Sequence, residues 1–240
     1  MAKHTILSID FDFFQNTTAE KITHCYPDGV DLPTKITEIT WASYYAQCKD
    51  ELLAVVCDEE KLWQIKKIIR NQCTTIRNRI TQSHLSIYDF ILSAVKEDDE
   101  CTIVNIDLHH DCFNDNPEVD CGNWLKHIKA KIPNCQVHWI ARDISKGVYK
   151  NLPNQVKYDF DFIKDMQFDM VFLCRSDSWL PPHLDKDFHT LMQSMTKHFF
   201  QTEIDEQIRK PRNMDTIFQL GEEVHTVMTS AMSKISERGE

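Results

Sequence analysis

Two short stretches of this chain carry side chains whose types and spacing suit a metal ion. Asp107, His109 and Asp111 fall at alternate positions in Asn105-Ile106-Asp107-Leu108-His109-His110-Asp111, directly after the β-branched run Thr102-Ile103-Val104. If a strand continues through them, positions i, i+2 and i+4 share one face, and carboxylate, imidazole and carboxylate converge. Asp10 and Asp12 repeat the alternation after Thr5-Ile6-Leu7-Ser8-Ile9. Clustered carboxylates repel and are costly to group without a cation. An oxygen-rich set with one or two imidazoles suits a hard or borderline divalent ion such as Mn²⁺, Mg²⁺ or Zn²⁺. The chemistry this points to is metal-assisted hydrolysis. The plainer readings are a polar loop with a chance histidine and a strand-end turn; against the second, Phe11, Phe13 and Phe14 make an unpaired carboxylate expensive there.

Positioning these groups falls to alternating strands and helices. Residues 5–14 read as a buried strand with Asp10 and Asp12 at its polar end. Residues 16–34, holding Pro27-Asp28-Gly29 and Pro33, read as a long connection that could wall a groove. Residues 41–53 and 58–70 have helical spacing, with Asp58 as cap of the second and Glu59 and Glu60 in its first turn. Leu85, Tyr88, Ile91, Leu92 and Val95 form one helical stripe over 84–95. Strands are expected at 101–107, 136–141 and 169–174, and helices at 124–131, 184–200 and 214–236, followed by a polar tail. Such alternation predicts an α/β fold, one domain over 1–240, around a mainly parallel sheet. Ligands gather at the carboxyl ends of such strands. Asp10 and Asp12, then Asp107, His109 and Asp111, then Arg175-Ser176-Asp177 would share that edge.

Composition narrows the partners. With 240 residues, 42% hydrophobic, and only 5 Gly and 8 Pro, the chain has the makeup of a globular domain. No run approaches the roughly 18 apolar residues that span a bilayer, and Met1-Ala2-Lys3-His4-Thr5 lacks a secretory pattern. Nine scattered cysteines without a Cys-x-x-Cys pair point to reduced thiols and a cytoplasmic setting. A net charge of −10 argues against nucleic acid and anionic membranes, and would either attract a cationic substrate or simply keep the protein soluble.

Asp107-Leu108-His109-His110-Asp111 resembles the Asp-Ala-His-x-Asp signature of the arginase, or ureohydrolase, superfamily, and Ser8-Ile9-Asp10-Phe11-Asp12 resembles its Ser-x-Asp-x-Asp signature. Ser83-His84-Leu85-Ser86 is similar to the family's Gly-Asp-His-Ser segment, Cys121-Gly122-Asn123-Trp124 to its Ser-Gly-Asn-x-His stretch, and Val137 to Asp143 to a later strand ending in Arg-Asp. On position alone His84 reads as a helix-terminal or partly buried histidine rather than a ligand; the resemblance reverses this and makes it a ligand. The element containing Asp10 comes first here, which implies a three-layer arginase-like fold with permuted strand order. Leu125 stands where the family has a histidine, so that residue's proton-shuttling role has no counterpart. The order and the motifs, scattered over roughly residues 5 to 180, look most like the peptide arginases, which convert arginine to ornithine in ribosomally made precursor peptides of the proteusin type.

What the resemblance implies is a pair of Mn²⁺ ions, one held by His84, Asp107, Asp111 and Asp10, the other by Asp107, His109, Asp10 and Asp12, with Asp107 and Asp10 bridging. Asp12, Asp107 and His109 would be catalytic, Asp12 as the acid for the leaving amine. Guanidinium recognition needs a bidentate carboxylate. Asp177 is the candidate, its alternative being an Asx-type turn; Asn123 is a second substrate contact, and Trp179 a pocket wall or a core residue. His110 is expected outside the ligand set, and His127 and His183 in structural or exposed positions. The rival readings are a haloacid-dehalogenase-like phosphatase beginning Asp-x-Asp, an arginase-fold deacylase with one metal, and a non-catalytic peptide-binding module.

Overall fold

In the computed structural model, which describes residues 1–27, 29, 31–113, 115–148 and 155–236, the apolar runs of the chain assemble into one parallel sheet. In chain order the strands are β1 (Lys3–Asp10), β2 (Gln15–Asn16), β3 (Val56–Cys57), β4 (Cys73–Thr81), β5 (Glu100–Ile106), β6 (Cys135–Ile140), β7 (Val156–Lys157), β8 (Phe168–Cys174) and β9 (Glu203–Ile204). Among the described residues seven of them form a sheet in the order β7-β6-β5-β1-β8-β4-β9. Every neighbouring pair in it is parallel, while β2 and β3 make a separate antiparallel pair. Strands buried on both faces read as continuous apolar runs, and Ile6, Leu7 and Ile9 of central β1 are fully buried.

The helices are α1 (Ala19–Cys25), α2 (Thr34–Leu53), α3 (Glu59–Gln72), α4 (Ser86–Leu92), α5 (Trp124–Lys131), α6 (Ser145–Val148), α7 (Asp185–His198) and α8 (Met214–Ser236). One sheet face packs Leu7, Ile9, Val104, Ile106, Val171 and Leu173 against α3 and α7. The other packs Ile6, Ile103, Met170 and Phe172 against α4 and α5. This gives the three-layer α/β arrangement. A third cluster joins α1, α2 and α8 through Trp41, Tyr45 and Ile217. α3 shows the local logic: the Asp58 carboxylate accepts from Lys61 N at 3.1 Å, and Leu62, Ile65 and Ile69 turn inward. Burial of each such side chain contributes about 1.5–3 kcal/mol.

The structure departs from the sequence pattern in four places. β1 stops at Asp10, and Phe11–Phe14 winds into a 3₁₀ turn, with the Asp10 carboxylate accepting from Asp12 N. A strand would send the phenylalanines to opposite faces; the turn puts all three in one cluster. Residues 16–34 are not a plain connection, because Thr18 caps α1 through Lys21 N, and α2 starts at Thr34 rather than at 41. Asp28 of the expected turn and the expected tail at 237–240 lie outside the described residues. Residues 73–81, unassigned by pattern, are strand β4. Finally, β5 ends at Ile106, so Asp107, His109 and Asp111 converge through a loop, with Asp111 at φ 48°, and not by strand alternation. No helix of the described residues is long and apolar enough to cross a membrane.

Candidate metal centre

Parallel strands all end on the same edge, and the pairing register decides which residues meet there. Ile9 is level with Ile106, Asp10 with Cys174, and Thr81 with Cys174. Asp10 and Asp107 are therefore next to one another at the ends of β1 and β5. Beyond β8 and β4 the pairing continues, with Arg175 N donating to Thr81 O at 2.9 Å and Ser176 N to Gln82 O at 3.1 Å. That fixes the Ser83-His84 turn beside Asp10.

The result is two overlapping groups of buried Asp and His side chains that could hold metal ions: Asp10, His84 and Asp107, and Asp12, Asp107 and His109. The Oδ2 atoms of Asp10, Asp107 and Asp111 each lie 3.2 Å from His84 Nδ1. His109 Nδ1 lies 3.0 Å from Asp12 Oδ2 and 3.5 Å from Asp107 Oδ1. Donors around one ion at about 2.0–2.2 Å are roughly 3 Å apart, so these spacings fit a shared cation. Among the described residues His84 Nδ1 and Asp12 Oδ2 are buried with no hydrogen bond of good geometry, which is costly unless something else satisfies them. Asp107 belongs to both groups. Asp10 and Asp12 are each in one, so shared ligation is supported for Asp107 and not for Asp10.

A second set of contacts orients these donors. Ser8 Oγ and His84 Nε2 are 2.8 Å apart; for Nδ1 to ligate, Nε2 must carry the proton and donate to Ser8. Ser176 Oγ donates to Asp10 Oδ2 at 2.9 Å and Trp124 Nε1 to Asp111 Oδ2 at 2.7 Å. Asn105 Nδ2 donates to the Oδ2 atoms of Asp107 and Asp111 at 3.3 and 3.2 Å. Asp111 and Ser176, at φ 48° and 60°, both hold the left-handed conformation that non-glycine residues rarely adopt. Such strain collects at functional sites.

Electrostatics tells the same story. Burial, reinforced by Asp10, raises the Asp12 carboxyl to about 7. Burial and Asp107 push Asp111 well above the carboxylate range. Burial acts on Asp107 too, but His109 and His84 outweigh it and hold that carboxyl low. Burial works against protonation of both imidazoles; Asp111 and neighbouring carboxylates nevertheless raise His84, and Asp12 and Asp107 raise His109. The acidic cluster thus binds protons where it lacks other positive charge.

Asp10, His84, His109 and Asp111 open into a cavity of about 800 Å³ whose other walls are Gly29, Asp31, Leu85, Phe113, Asp120, Cys121, Gly122, Ser176 and Trp179. No Lys or Arg is among these lining residues. Asp12 and Asp107 are fully buried behind the lining. Trp179 walls the cavity, its ring 5.8 Å from that of His109, and Gly29 and Asp31 bring residues 16–34 to its edge as expected.

Two expected substrate contacts are corrected. Asp177 is fully buried and does not reach the cavity. Arg175 grips its carboxylate with Nε and Nη2, and Thr34 Oγ1 donates to it at 2.8 Å. The bidentate cation for which it was selected is supplied by the chain itself. Asn123 is also buried; it accepts from Asp120 N at 2.8 Å and donates to Glu118 O at 3.0 Å, tying its own loop. His110 Nδ1 accepts from Cys112 N, with its ring stacked on Phe113. His127 pairs with Asn116 O, and His183 with Tyr45 and Val55 O. Ser8 and Asn105, unassigned by pattern, each stand two residues before an aspartate in Ser-Ile-Asp and Asn-Ile-Asp; that matched alternation was a usable signal. Asp31 had none, since a lone aspartate among turn residues is commonplace. No family model, curated protein or solved structure matches this chain.

Proposed function

We propose that this chain is a dinuclear manganese hydrolase of the arginase type, one that cleaves the guanidino group of arginine residues in a precursor peptide to give ornithine and urea. The observation that carries the reading is the pair of Asp/His groups sharing Asp107 at the base of a cavity. His84, Asp10, Asp107 and Asp111 would hold one ion, and His109, Asp12 and Asp107 the other. Bound in such a pair, divalent cations acidify water at neutral pH and offset negative charge that develops during attack.

The chain's own residues supply the rest. Ser8 and Trp124 fix the ligating faces of His84 and Asp111. Water adds to the guanidinium carbon, the bond from that carbon to the side-chain nitrogen breaks, and a proton must reach the departing amine. Asp12 is the proposed donor by analogy with the superfamily, its Oδ2 lying 3.0 Å from His109 Nδ1 within the cluster. Among the described residues the lining holds carboxylates and no Lys or Arg, which favours a cationic side chain over the α-carboxylate of a free amino acid. That favours arginine within a peptide.

The test is mass spectrometry of arginine-containing peptides, and of free arginine, incubated with the Mn²⁺-loaded protein. Removal of urea shortens each converted residue by about 42 mass units, which identifies the bond cleaved. The expected result is that loss on peptides, abolished together with manganese content in Asp107→Ala. One zinc per chain with release of acetylated amines would instead select the deacylase, Mg²⁺-dependent hydrolysis of aryl phosphates the phosphatase, and tight metal binding without turnover the binding module.

A further inference from the structure

Resting on the cationic substrate of that reading, but not on which bond is cut, we infer that Asp31, which with Leu32 forms the segment that meets the Ser83-His84 turn at the cavity wall, is the carboxylate that seats the substrate guanidinium.

The other acidic groups near the cavity are set apart from Asp31 by their surroundings. Asp10 takes Ser176, Asp111 takes Trp124 and Asn105, and both belong to the ligand cluster. Asp120 also has one oxygen engaged, Oδ1 accepting from Gly122 N at 2.9 Å, but it belongs to the turn before α5 and not to the contacts of the Ser83-His84 turn that carries a candidate ligand. Asp177 is closed off by Arg175. Asp31 is only half-buried, and one oxygen, Oδ2, accepts from Ser83 Oγ. Its Oδ1 accepts no hydrogen bond from the described residues, and the residue lines the cavity. Burial also pushes this carboxyl above its usual range, a penalty that a cation placed beside it would remove.

The segment is built to hold that carboxylate still. Gln82 Nε2 donates to Leu32 O at 2.8 Å, and Leu32 N to Ser178 Oγ at 3.3 Å. Gly29 lies so close to the Trp179 ring that a Cβ would come within 3.0 Å of it, so a larger residue there would push the wall away. Ser83 binds Asp31 and immediately precedes His84. Seat and ligand cluster are thereby referenced to the same turn. Trp179 and Phe113 add aromatic faces on which a planar guanidinium can stack.

The test uses the full Mn²⁺-loaded chain and a doubly blocked arginine, N-acetyl-arginine N-methylamide, with its uncharged citrulline counterpart as control. Binding is read by calorimetry and manganese by elemental analysis. Wild type should prefer the arginine compound, and Asp31→Asn should weaken that binding at least about tenfold, the scale of a hydrogen bond to a charged group, with manganese content retained. Asp31→Glu should recover most of the loss. Unchanged affinity in Asp31→Asn, loss of manganese alongside affinity, or no preference of wild type for arginine over citrulline would overturn the assignment. If Asp31→Asn does not fold, Ser83→Ala, which frees the carboxylate to rotate and also removes the bond that Ser83 Oγ accepts from Leu85 N, should weaken binding about threefold with manganese content retained, and unchanged affinity there overturns it equally. Binding without urea release would sink the proposed reaction and leave Asp31 in place. Urea release with an unaltered KM in Asp31→Asn would do the reverse.

Discussion

Protons and metal ions compete for the same donor atoms here. Burial and Asp10 hold the Asp12 carboxyl at about 7, and burial and Asp107 hold Asp111 higher than an ordinary carboxylate. A raised folded pKa means that these groups carry protons below it and must release them to ligate. Manganese uptake should therefore release protons, and affinity should fall as pH drops through about 7, where Asp12 takes up its proton. Calorimetry in two buffers of different ionisation enthalpy reads the proton count directly; an affinity that is flat on either side of neutrality would contradict the assignment of Asp12 as a ligand. Legibility at this scale followed spacing. Asp10, Asp12, Asp107, His109 and Asp111 were marked by alternation, and the structure brings them together. Alternation could not reveal that Asp177 had a partner in Arg175 two residues away, because which neighbour a carboxylate faces depends on backbone direction beyond the strand end.

At the scale of elements, the buried Arg175-Asp177-Asp185-Arg212 network joins the end of β8 to the starts of α2 and α7 and to the segment before α8. Arg212 holds Asp185 Oδ1 at 2.7 Å and donates to Asp177 O at 2.9 Å, while Thr34 binds the Asp177 carboxylate. Removing one charge from such a pair strands its partner in low dielectric, at a cost of roughly 3–5 kcal/mol. Asp177→Asn should accordingly lower the denaturant midpoint strongly, with manganese stoichiometry in the folded fraction unchanged. A variant as stable as wild type but poor in substrate binding would return Asp177 to the recognition role. Burial opposes ionisation of Asp177, but Arg212 and Arg175 hold its pKa below the ordinary carboxylate value. The network's contribution is therefore complete above the unfolded-state pKa of about 3.9 and is lost as pH falls through the lower folded value. β4 escaped the sequence reading because it follows α3 without a break and carries Arg77 and Arg79; its period survives in the burial of Asn78 and Ile80, which alternate with them.

For the whole molecule, the candidate centre takes its Asp and His side chains from the ends of β1, β4 and β5 and is braced by the end of β8, so metal that binds only the folded chain would stabilise all of it. At one hundred times its dissociation constant a ligand adds about 2.7 kcal/mol, which for a chain of this size raises Tm by roughly 5–10 °C. Thermal scans with Mn²⁺ and with chelator should differ by that amount, and coincident transitions would mean that the cluster holds no ion. The sequence by itself determined the α/β class, most of the helices, the strands β1, β5, β6 and β8, and the residue types of the cluster, since burial patterns and local spacing are written along the chain. Only tertiary structure decided that β1 lies between β5 and β8, that His84 closes the cluster from the turn after β4, that Asp177 is sealed and that Asp31 faces the cavity. Strand order and the partners of buried charges depend on contacts between residues far apart in sequence, and no local period encodes those.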